Sequence, residues 1–387
     1  MDLTYLDHAA TSWPKPRAVG AAMVRAMTVA GGNPGRAGHP LSMRASKVVY
    51  EARAAAADFF GLPLPENVLF YPNATYAVNA VLHGLPLVGK RVLYSELEHN
   101  AVIRPLYSLQ KEQGVRAEMY PVFGAGDGML SDAEILSGIR ARLTRDTALV
   151  CACHVSNVCG ARLPITEIGA LCRAAHIPFL VDASQSAGVY DIDMVRDGID
   201  YLCCAGHKAL LGPQGSGLLL IGDGAPMPTA TVQGGNGVAS LSPDMPSFLP
   251  EALEAGTLSV PAIAGLHAGM DCIRDLGMSE IRADCHRLYR RLLEMLGGLP
   301  CVTVYRAEIP QGCVVSFNVR GMSCTACAER LAQDGICVRA GFHCTPLPHK
   351  AFGTAETGCV RVSIGAGSTL RDTDRFYRAM RQICRET

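Results

Sequence analysis

Short apolar segments alternate with helix-patterned segments through the first two thirds of this 387-residue chain. One segment between two of them, ITEIGALCRAAH (165–176), repeats apolar residues at helical spacing. Continuously apolar strands separated by helices predict a mostly parallel sheet with helices on both faces. Ligands of such sheets bind at the carboxyl ends of the strands. The predicted strands are RVLYSELEHN (91–100), TALVCACHV (147–155), PFLVDAS (178–184), DYLCCAG (200–206) and SGLLLIG (216–222).

The pattern changes from about residue 262. A long helical stretch, 262–296, is followed by alternating segments at 301–309 and 313–321 and by helix patterns at 323–335 and 370–384. Mixed strands and helices in this order predict a smaller α+β domain. The chain is therefore predicted to be an α/β protein with a second, smaller C-terminal domain.

Composition and charge exclude several classes of function. Lysine plus arginine and aspartate plus glutamate each number 35, so no net charge attracts nucleic acid or an anionic membrane. Charges interrupt every apolar stretch before it reaches the roughly 20 residues of a membrane span. The first residues, MDLTYLDHAATSWPKP, lack the pattern of a secretory signal, and sixteen cysteines in such a chain indicate reduced thiols. We expect a cytoplasmic protein with a small-molecule partner, no nucleic acid and no membrane.

Polar residues follow four of the predicted strands, where a ligand would bind. His99, Asn157 and Asp182 each come shortly after an apolar run, and Lys208 ends the stretch YLCCAGHK. Pyridoxal phosphate (PLP) needs a lysine amine for a Schiff base, a carboxylate beside its pyridine nitrogen and donors for its phosphate. Lys208 and Asp182 fit the first two needs, and the helix opened by 73–75 offers N–H groups to a phosphate. These residues predict a PLP site.

Eight blocks then resemble one family, in the family's order and over nearly the whole chain. The chain is similar to the cysteine desulfurases and selenocysteine lyases of the class V aminotransferase group, and RAGFHC resembles the second subgroup, whose catalytic loop is short. The resemblance implies fold type I of the PLP-dependent transferases, a homodimer, and a seven-stranded, mostly parallel sheet. It also implies a large domain over 16–260 and a small domain built from 1–15 and 261–387. The blocks are YLDHAATSWPKP, NATYAVNA, EHNAV, HVSNVCG, VDASQSAG, GHKALLGPQGSG, EAGTLSVPAIAGL and VRAGFHCTPL.

The resemblance also assigns roles to individual residues. Lys208 matches the Schiff-base lysine, His99 the ring-stacking and proton-handling residue, and Cys344 the nucleophile. Arg361 matches the arginine that holds the substrate carboxylate, with Arg339 and Asn157 as further substrate contacts. Thr257 matches a phosphate contact from a second subunit. The cofactor-binding residues implied are Ala74, Thr75, His99, Asn157, Asp182, Gln185, His207, Lys208 and Thr257.

Two positions depart from the family pattern. Ala205 stands where the family usually has a hydroxyl that binds the phosphate, and the lost hydrogen bond is worth roughly 0.5–1.5 kcal/mol, or up to about 3 kcal/mol if it is charge-assisted. After Arg361 the segment RVSIGAGST offers only small residues where the family often has an aromatic residue and asparagine.

The resemblance implies a cysteine desulfurase that moves sulfur from L-cysteine to Cys344 as a persulfide and forms L-alanine, with a sulfur-acceptor protein as a further partner. Attack requires the Cys344 thiolate, so we expect an electropositive setting supplied by Arg339 and His343. The alternatives are a selenocysteine lyase acting on L-selenocysteine, and an aminotransferase or β-lyase of the same class that does not need Cys344. A sulfur-carrier or metal-binding protein is the alternative from a different class.

A C-x-x-C pair, Cys324 and Cys327, resembles the pair of small copper-binding modules. One pair without a second pair or histidines is a weak metal signal. Ser323 as a helix N-cap, with the cysteines one turn apart facing the core, accounts for the motif without metal. We predict a structural role for both cysteines and no metal site.

Overall fold

The computed structural model describes residues 3–35, 37–124, 128–305 and 312–386. Strands form where the sequence is continuously apolar or alternates, as β-branched residues favour extended backbone. The strands are β1 (Thr4–Tyr5), β2 (Val68–Tyr71), β3 (Arg91–Ser95), β4 (Arg116–Tyr120), β5 (Thr147–Cys153), β6 (Phe179–Asp182), β7 (Tyr201–Ala205), β8 (Gly217–Ile221), β9 (Val302–Tyr305), β10 (Val314–Val319), β11 (Ile336–Cys337), β12 (Arg339–Gly341) and β13 (Cys359–Ser363).

The helices cover both faces of the large sheet and one side of the small one. Within the described ranges, no helix combines the length and the apolar character needed to cross a bilayer. The helices are α1 (Arg17–Val29), α2 (Pro40–Phe59), α3 (Ala74–Gly84), α4 (Asn100–Gln113), α5 (Asp132–Arg140), α6 (Ile165–Ala174), α7 (Val260–Leu276), α8 (Met278–Gly297), α9 (Cys324–Gln333), α10 (Pro346–Ala351) and α11 (Leu370–Glu386), with a 3₁₀ turn at Pro65–Asn67.

Seven strands form the large sheet, in the order β2-β8-β7-β6-β5-β3-β4. Only β8 runs against its neighbours β2 and β7, and the other pairs are parallel. Every residue of β6, β7 and β8 is buried, as expected for strands with helices on both faces. The predicted α/β fold with a mostly parallel seven-stranded sheet is confirmed.

A second, antiparallel sheet has the order β12-β13-β10-β9. Its strand β9 lies within the predicted segment 301–309, of which 306–309 fall outside the described residues. The short strand β1 pairs in parallel with β11, so the start of the chain joins this C-terminal part. The proposed division into 16–260 and 1–15 with 261–387 stays a prediction.

Two features differ from the sequence predictions. The stretch 262–296 is not one helix but two, because Gly277, between α7 and α8, has a φ of 81°, which is outside the helical region. The expectation that all cysteines are reduced is wrong for one pair, since Cys301 and Cys384 form a disulfide. Their Cα atoms lie 6.1 Å apart, within bridging range.

Candidate active site

A cavity of about 160 Å³ lies at the carboxyl ends of β5, β6 and β7. This is the edge at which parallel sheets bind their ligands. The structure brings eight of the nine predicted cofactor-binding residues together here, while Thr257 lies apart, exposed in the segment before α7. The cavity is lined by Asn73, Ala74, Thr75, His99, Ala101, Cys153, Asn157, Asp182, Ser184, Gln185, Ala205, His207 and Lys208.

One end of the cavity is the N-terminus of α3. Asn73 caps this helix, because its side-chain oxygen accepts a hydrogen bond from Tyr76 N at 3.1 Å. Ala74 and Thr75 are the first two helical residues, so their N–H groups have no partner within the helix. Gly217 of β8 permits this arrangement, since a Cβ atom there would lie 2.5 Å from the Asn73 backbone. This end of the cavity suits an anion.

Lys208 and Asp182 lie on the floor of the cavity. Burial lowers the pKa of the Lys208 ammonium, against the opposing effect of Asp182, and the charge of Arg361 lowers it further. Asp182 ends β6, and its Oδ1 accepts a hydrogen bond from Ser184 N at 2.9 Å. A lowered pKa increases the fraction of the lysine present as free amine, and only the free amine acts as a nucleophile or a base. The pair can therefore act on an aldehyde and on a ring nitrogen.

His99 caps α4 and faces the same cavity. Its Nδ1 accepts a hydrogen bond from Ala101 N at 3.0 Å, which leaves the proton on Nε2. Burial lowers the pKa of His99, Asp182 raises it, and Lys208 lowers it. The ring is thus a neutral imidazole with a defined tautomer, suited to stacking and to moving one proton.

The loop that carries Cys344 has an unusual backbone. His343 and Cys344 have φ values of 51° and 59°, in the left-handed region that non-glycine residues seldom adopt. Asn157 holds the loop by donating to His343 O at 2.8 Å and accepting from Thr345 Oγ1 at 2.6 Å. Asn100 N donates to Cys344 O at 2.8 Å, next to His99. The Cys344 side chain is consequently exposed beside the start of α4.

His343 does not supply the positive charge expected near Cys344. Burial lowers its pKa to about 3, and the neighbouring Arg361 also disfavours its protonation. The ring is therefore neutral, and that sequence expectation is wrong. Arg339, on the exposed edge of β12, remains as a cation on the strand that leads to the loop.

Arg361 is buried in β13 and is directed by a residue that the sequence analysis did not single out. Its Nη2 donates to Asp7 Oδ1 at 2.8 Å, and its Nη1 donates to Asn157 O at 3.3 Å. Its Nε is buried without a hydrogen-bond partner among the described residues. Asp7 lies within the block YLDHAATSWPKP, but 354 positions separate it from Arg361. The guanidinium keeps donor capacity for one further acceptor.

A family model described as aminotransferase class-V matches residues 4–376. The chain belongs to the class-V aminotransferase family. Among its relatives, a protein from Pseudomonas aeruginosa named a probable cysteine desulfurase is 34% identical over 98% of this chain and 93% of the relative. A protein of the same name from Synechocystis is 30% identical over 99% of this chain and 91% of its own length. A third, from Mycolicibacterium paratuberculosis, is 31% identical over 98% of this chain, which spans 55% of that relative.

Solved structures have the same fold. The apo structure of a cysteine desulfurase from Thermococcus onnurineus superimposes with a TM-score of 0.89 at 28% identity, over 100% of this chain and 95% of that one. A cysteine desulfurase structure from Escherichia coli gives a TM-score of 0.88 at 24% identity, over 99% and 95% of the two chains, and shows the fold alone. The predicted class V fold type and the resemblance to cysteine desulfurases are confirmed.

In this class-V aminotransferase Ala205 ends β7 and lines the cavity, so its methyl group stands where a phosphate-binding hydroxyl is usual. We expect Ala205→Ser to bind PLP roughly 13- to 160-fold more tightly, because a hydrogen bond to the charged phosphate contributes about 1.5–3 kcal/mol. Equilibrium dialysis of the cofactor measures the change. Ala141→Ser, which adds a hydroxyl to an exposed alanine at the end of α5, outside the cavity, is the control and should leave the affinity unchanged. Equal affinities for Ala205→Ser and the wild type would contradict the role given to residue 205.

Cys324 and Cys327 have the structural surroundings that the sequence predicts. Both are buried on α9, and Ser323 caps that helix by accepting from Ala326 N at 3.2 Å. The Cys324 thiol donates to Thr357 O at 3.1 Å. The thiols of Cys324 and Cys327 therefore pack in the core of the C-terminal part.

Proposed function

We propose that this chain is a PLP-dependent cysteine desulfurase that transfers the sulfur of L-cysteine to Cys344 and releases L-alanine. The observation that carries the proposal is the convergence of a half-buried lysine, a carboxylate and a neutral imidazole in one cavity, beside the loop of an exposed cysteine. The names of the relatives support the same activity.

The residues lining the cavity fit PLP. The N–H groups of Ala74 and Thr75 suit its phosphate, and Asp182 suits its pyridine nitrogen. The Nδ1 of His207 is buried without a partner among the described residues, and a phosphate oxygen would give it one. When bound, PLP supplies an electron sink for bond breaking at the substrate's α-carbon.

The chain's own residues account for the remaining steps. Lys208, with its lowered pKa, takes the α-proton, and His99 moves a proton at its Nε2. The Cys344 thiolate attacks the substrate sulfur, so a sulfur–sulfur bond forms and the carbon–sulfur bond breaks. The electron pair of the broken bond stays with the carbon, which takes up a proton to give alanine. Sulfur is oxidised to the persulfide level while the substrate carbon is reduced to the methyl group of alanine, so no external oxidant is required.

Arg361 binds the substrate carboxylate and Asp7 positions it. We expect Asp7→Asn to raise the KM for L-cysteine roughly 5-fold with little change in kcat, because an ion pair becomes a hydrogen bond from a cation to a neutral amide, about 1 kcal/mol weaker. Steady-state kinetics of alanine formation separate the two constants. Asp284→Asn, which breaks an exposed ion pair with Arg287, is the control and should change neither. A fall in kcat at constant KM would contradict a positioning role.

The decisive experiment is product analysis with the PLP-loaded protein, L-cysteine and a thiol reductant. A desulfurase forms alanine and sulfide in equal amounts. Pyruvate, ammonia and sulfide without alanine would indicate a β-lyase. An oxo acid formed from cysteine when a second 2-oxo acid is added as amino acceptor would indicate an aminotransferase. Absence of the cofactor's visible absorbance from the purified protein would favour a sulfur carrier.

Four finer points belong to the same proposal. We propose a homodimer in which Thr257, exposed on this chain, reaches the phosphate of the partner subunit's site. We propose that the protein works in the cytoplasm, where its fourteen free cysteines suit a reducing compartment. We also propose that L-cysteine, rather than L-selenocysteine, is the main substrate, and that a protein accepts the sulfur from the exposed Cys344.

A further inference from the structure

Beneath the Cys344 loop lies a cluster of three side chains that the proposed reaction does not use. His343 belongs to the loop, His349 lies on α10, and Cys359 is the first residue of β13. All three are at least nine-tenths buried, with exposures of 6%, 1% and 1%. Their ligand atoms lie within 4.8 Å of one another, and no other group of three metal-ligating residues in the described ranges comes this close.

The distances suit one small metal ion. Zinc binds imidazole nitrogen at about 2.0 Å and cysteine sulfur at about 2.3 Å in a tetrahedral arrangement, which separates two donors by roughly 3.5 Å. His343 Nε2 and Cys359 Sγ are 3.5 Å apart. The same nitrogen lies 3.2 Å from Cys359 O, a contact in which it donates, so zinc binding requires its proton to move to Nδ1, which is buried without a partner among the described residues. Cys359 pairs with Gly341 across β13 and β12, so the sheet fixes the thiol beneath the loop. Two of the three donors therefore already have the spacing of ligands that share a zinc ion.

The third donor, His349, has a ring nitrogen without a hydrogen-bond partner among the described residues. This nitrogen is the buried Nε2. Its other nitrogen, Nδ1, lies 2.8 Å from Thr354 Oγ1, whose hydroxyl is in turn 3.4 Å from His349 O. With Nδ1 as the donor to that hydroxyl, Nε2 carries a free lone pair. Metal-bound histidines commonly have this arrangement, in which the outer nitrogen donates to an oxygen and the inner one binds the ion.

We propose that His343, His349 and Cys359 form a zinc-binding site beneath the Cys344 loop, with a solvent molecule or an added thiol as the fourth ligand. Imidazole and thiolate donors favour zinc over magnesium or calcium, which prefer oxygen. Binding replaces the Cys359 thiol proton by the metal and releases one proton to solvent. Because His343 precedes Cys344 directly, an occupied site also fixes the loop that presents the nucleophile.

Zinc binding to the PLP-loaded protein tests the site. Equilibrium dialysis against buffered Zn²⁺, with total metal measured per chain, is expected to show one tightly held ion in the wild type. Cys359→Ser and His349→Gln should each lower the affinity for zinc by more than about 100-fold. Even the loss of a residue that only supports a ligand lowers metal affinity 10- to 100-fold. Far-UV circular dichroism and a melting curve establish that each variant is folded.

The control separates this site from the other thiols. Cys172→Ser replaces an equally buried cysteine on α6 and should keep the tightly held ion. If Cys344→Ser alone removes the zinc, the metal binds the exposed thiol and the proposal is overturned. Equal zinc affinity in the wild type, Cys359→Ser and His349→Gln would also overturn it. Cobalt(II) gives a second readout, because its thiolate charge-transfer band should be present in the wild type and absent from a folded Cys359→Ser.

Discussion

Replacement of Lys208 by alanine is expected to lower the rate of alanine formation from L-cysteine by roughly 10³-fold or more, since a positioned proton-transfer group alone contributes about 10²–10⁴-fold. Lys208 is the amine at the floor of the cavity, and burial lowers its pKa, so it can bond to an aldehyde and then accept the α-proton. The measurement is alanine formed per active site, together with mass spectrometry after borohydride reduction. The wild type should retain a pyridoxyl group on Lys208, and the variant should retain none.

Two further variants make the Lys208 result specific. Lys208→Arg keeps a cation beside Asp182 but offers no amine, so it should be as inactive as the alanine variant. Lys90→Ala removes an exposed lysine after α3 and should have wild-type activity. Rapid alanine formation by Lys208→Ala, or a pyridoxyl group on another lysine, would contradict the assignment.

The large sheet was predictable because its strands are buried on both faces. β6, β7 and β8 contain only apolar residues before their last positions, so composition alone separates them from the helices. The break between α7 and α8 was not predictable from the sequence, because Gly277 lies within an otherwise regular helical pattern. A glycine inside a helix pattern is often tolerated, and only its positive φ marks the end of α7.

The cavity was predictable for a topological reason. Residues that follow parallel strands meet at one edge of the sheet, so His99, Asp182 and Lys208 converge although about 110 positions separate the first from the last. The partner of Arg361 was not predictable in this way. Asp7 reaches Arg361 because β1 joins β11 and brings the first residues of the chain to the C-terminal sheet, a pairing of two-residue strands that leaves no periodic pattern.

The Cys344 loop and the cluster beneath it depend on contacts between separate elements. His343, His349 and Cys359 come from a loop, a helix and a strand, with five and nine residues between them. This spacing matches no common short metal-binding motif, so only the fold reveals the group. Burial likewise determines that His343 is neutral, whereas the sequence alone allowed it to be a cation beside the nucleophile.

Replacement of Cys344 by serine is expected to lower alanine formation from L-cysteine by on the order of 10³-fold or more, as loss of a nucleophile usually does. Serine has nearly the same shape, and the loop is held through backbone contacts to Asn157 and Asn100, so the loop should keep its conformation. The cofactor spectrum should also remain, because Cys344 does not line the cavity. Alanine formation gives the rate, and mass spectrometry of the thiol-alkylated protein detects the persulfide.

The Cys344 variant distinguishes the desulfurase from an aminotransferase or β-lyase because only the desulfurase needs a thiol nucleophile. Cys272→Ser, on α7 and half-buried, is the matched control and should retain both the rate and the persulfide. Wild-type turnover by Cys344→Ser would overturn the desulfurase assignment and favour an aminotransferase or β-lyase. If Cys344→Ser loses activity toward L-cysteine but keeps it toward L-selenocysteine, the weaker carbon–selenium bond breaks without the thiolate. The cavity then serves both substrates, and Cys344 is what extends its chemistry to sulfur.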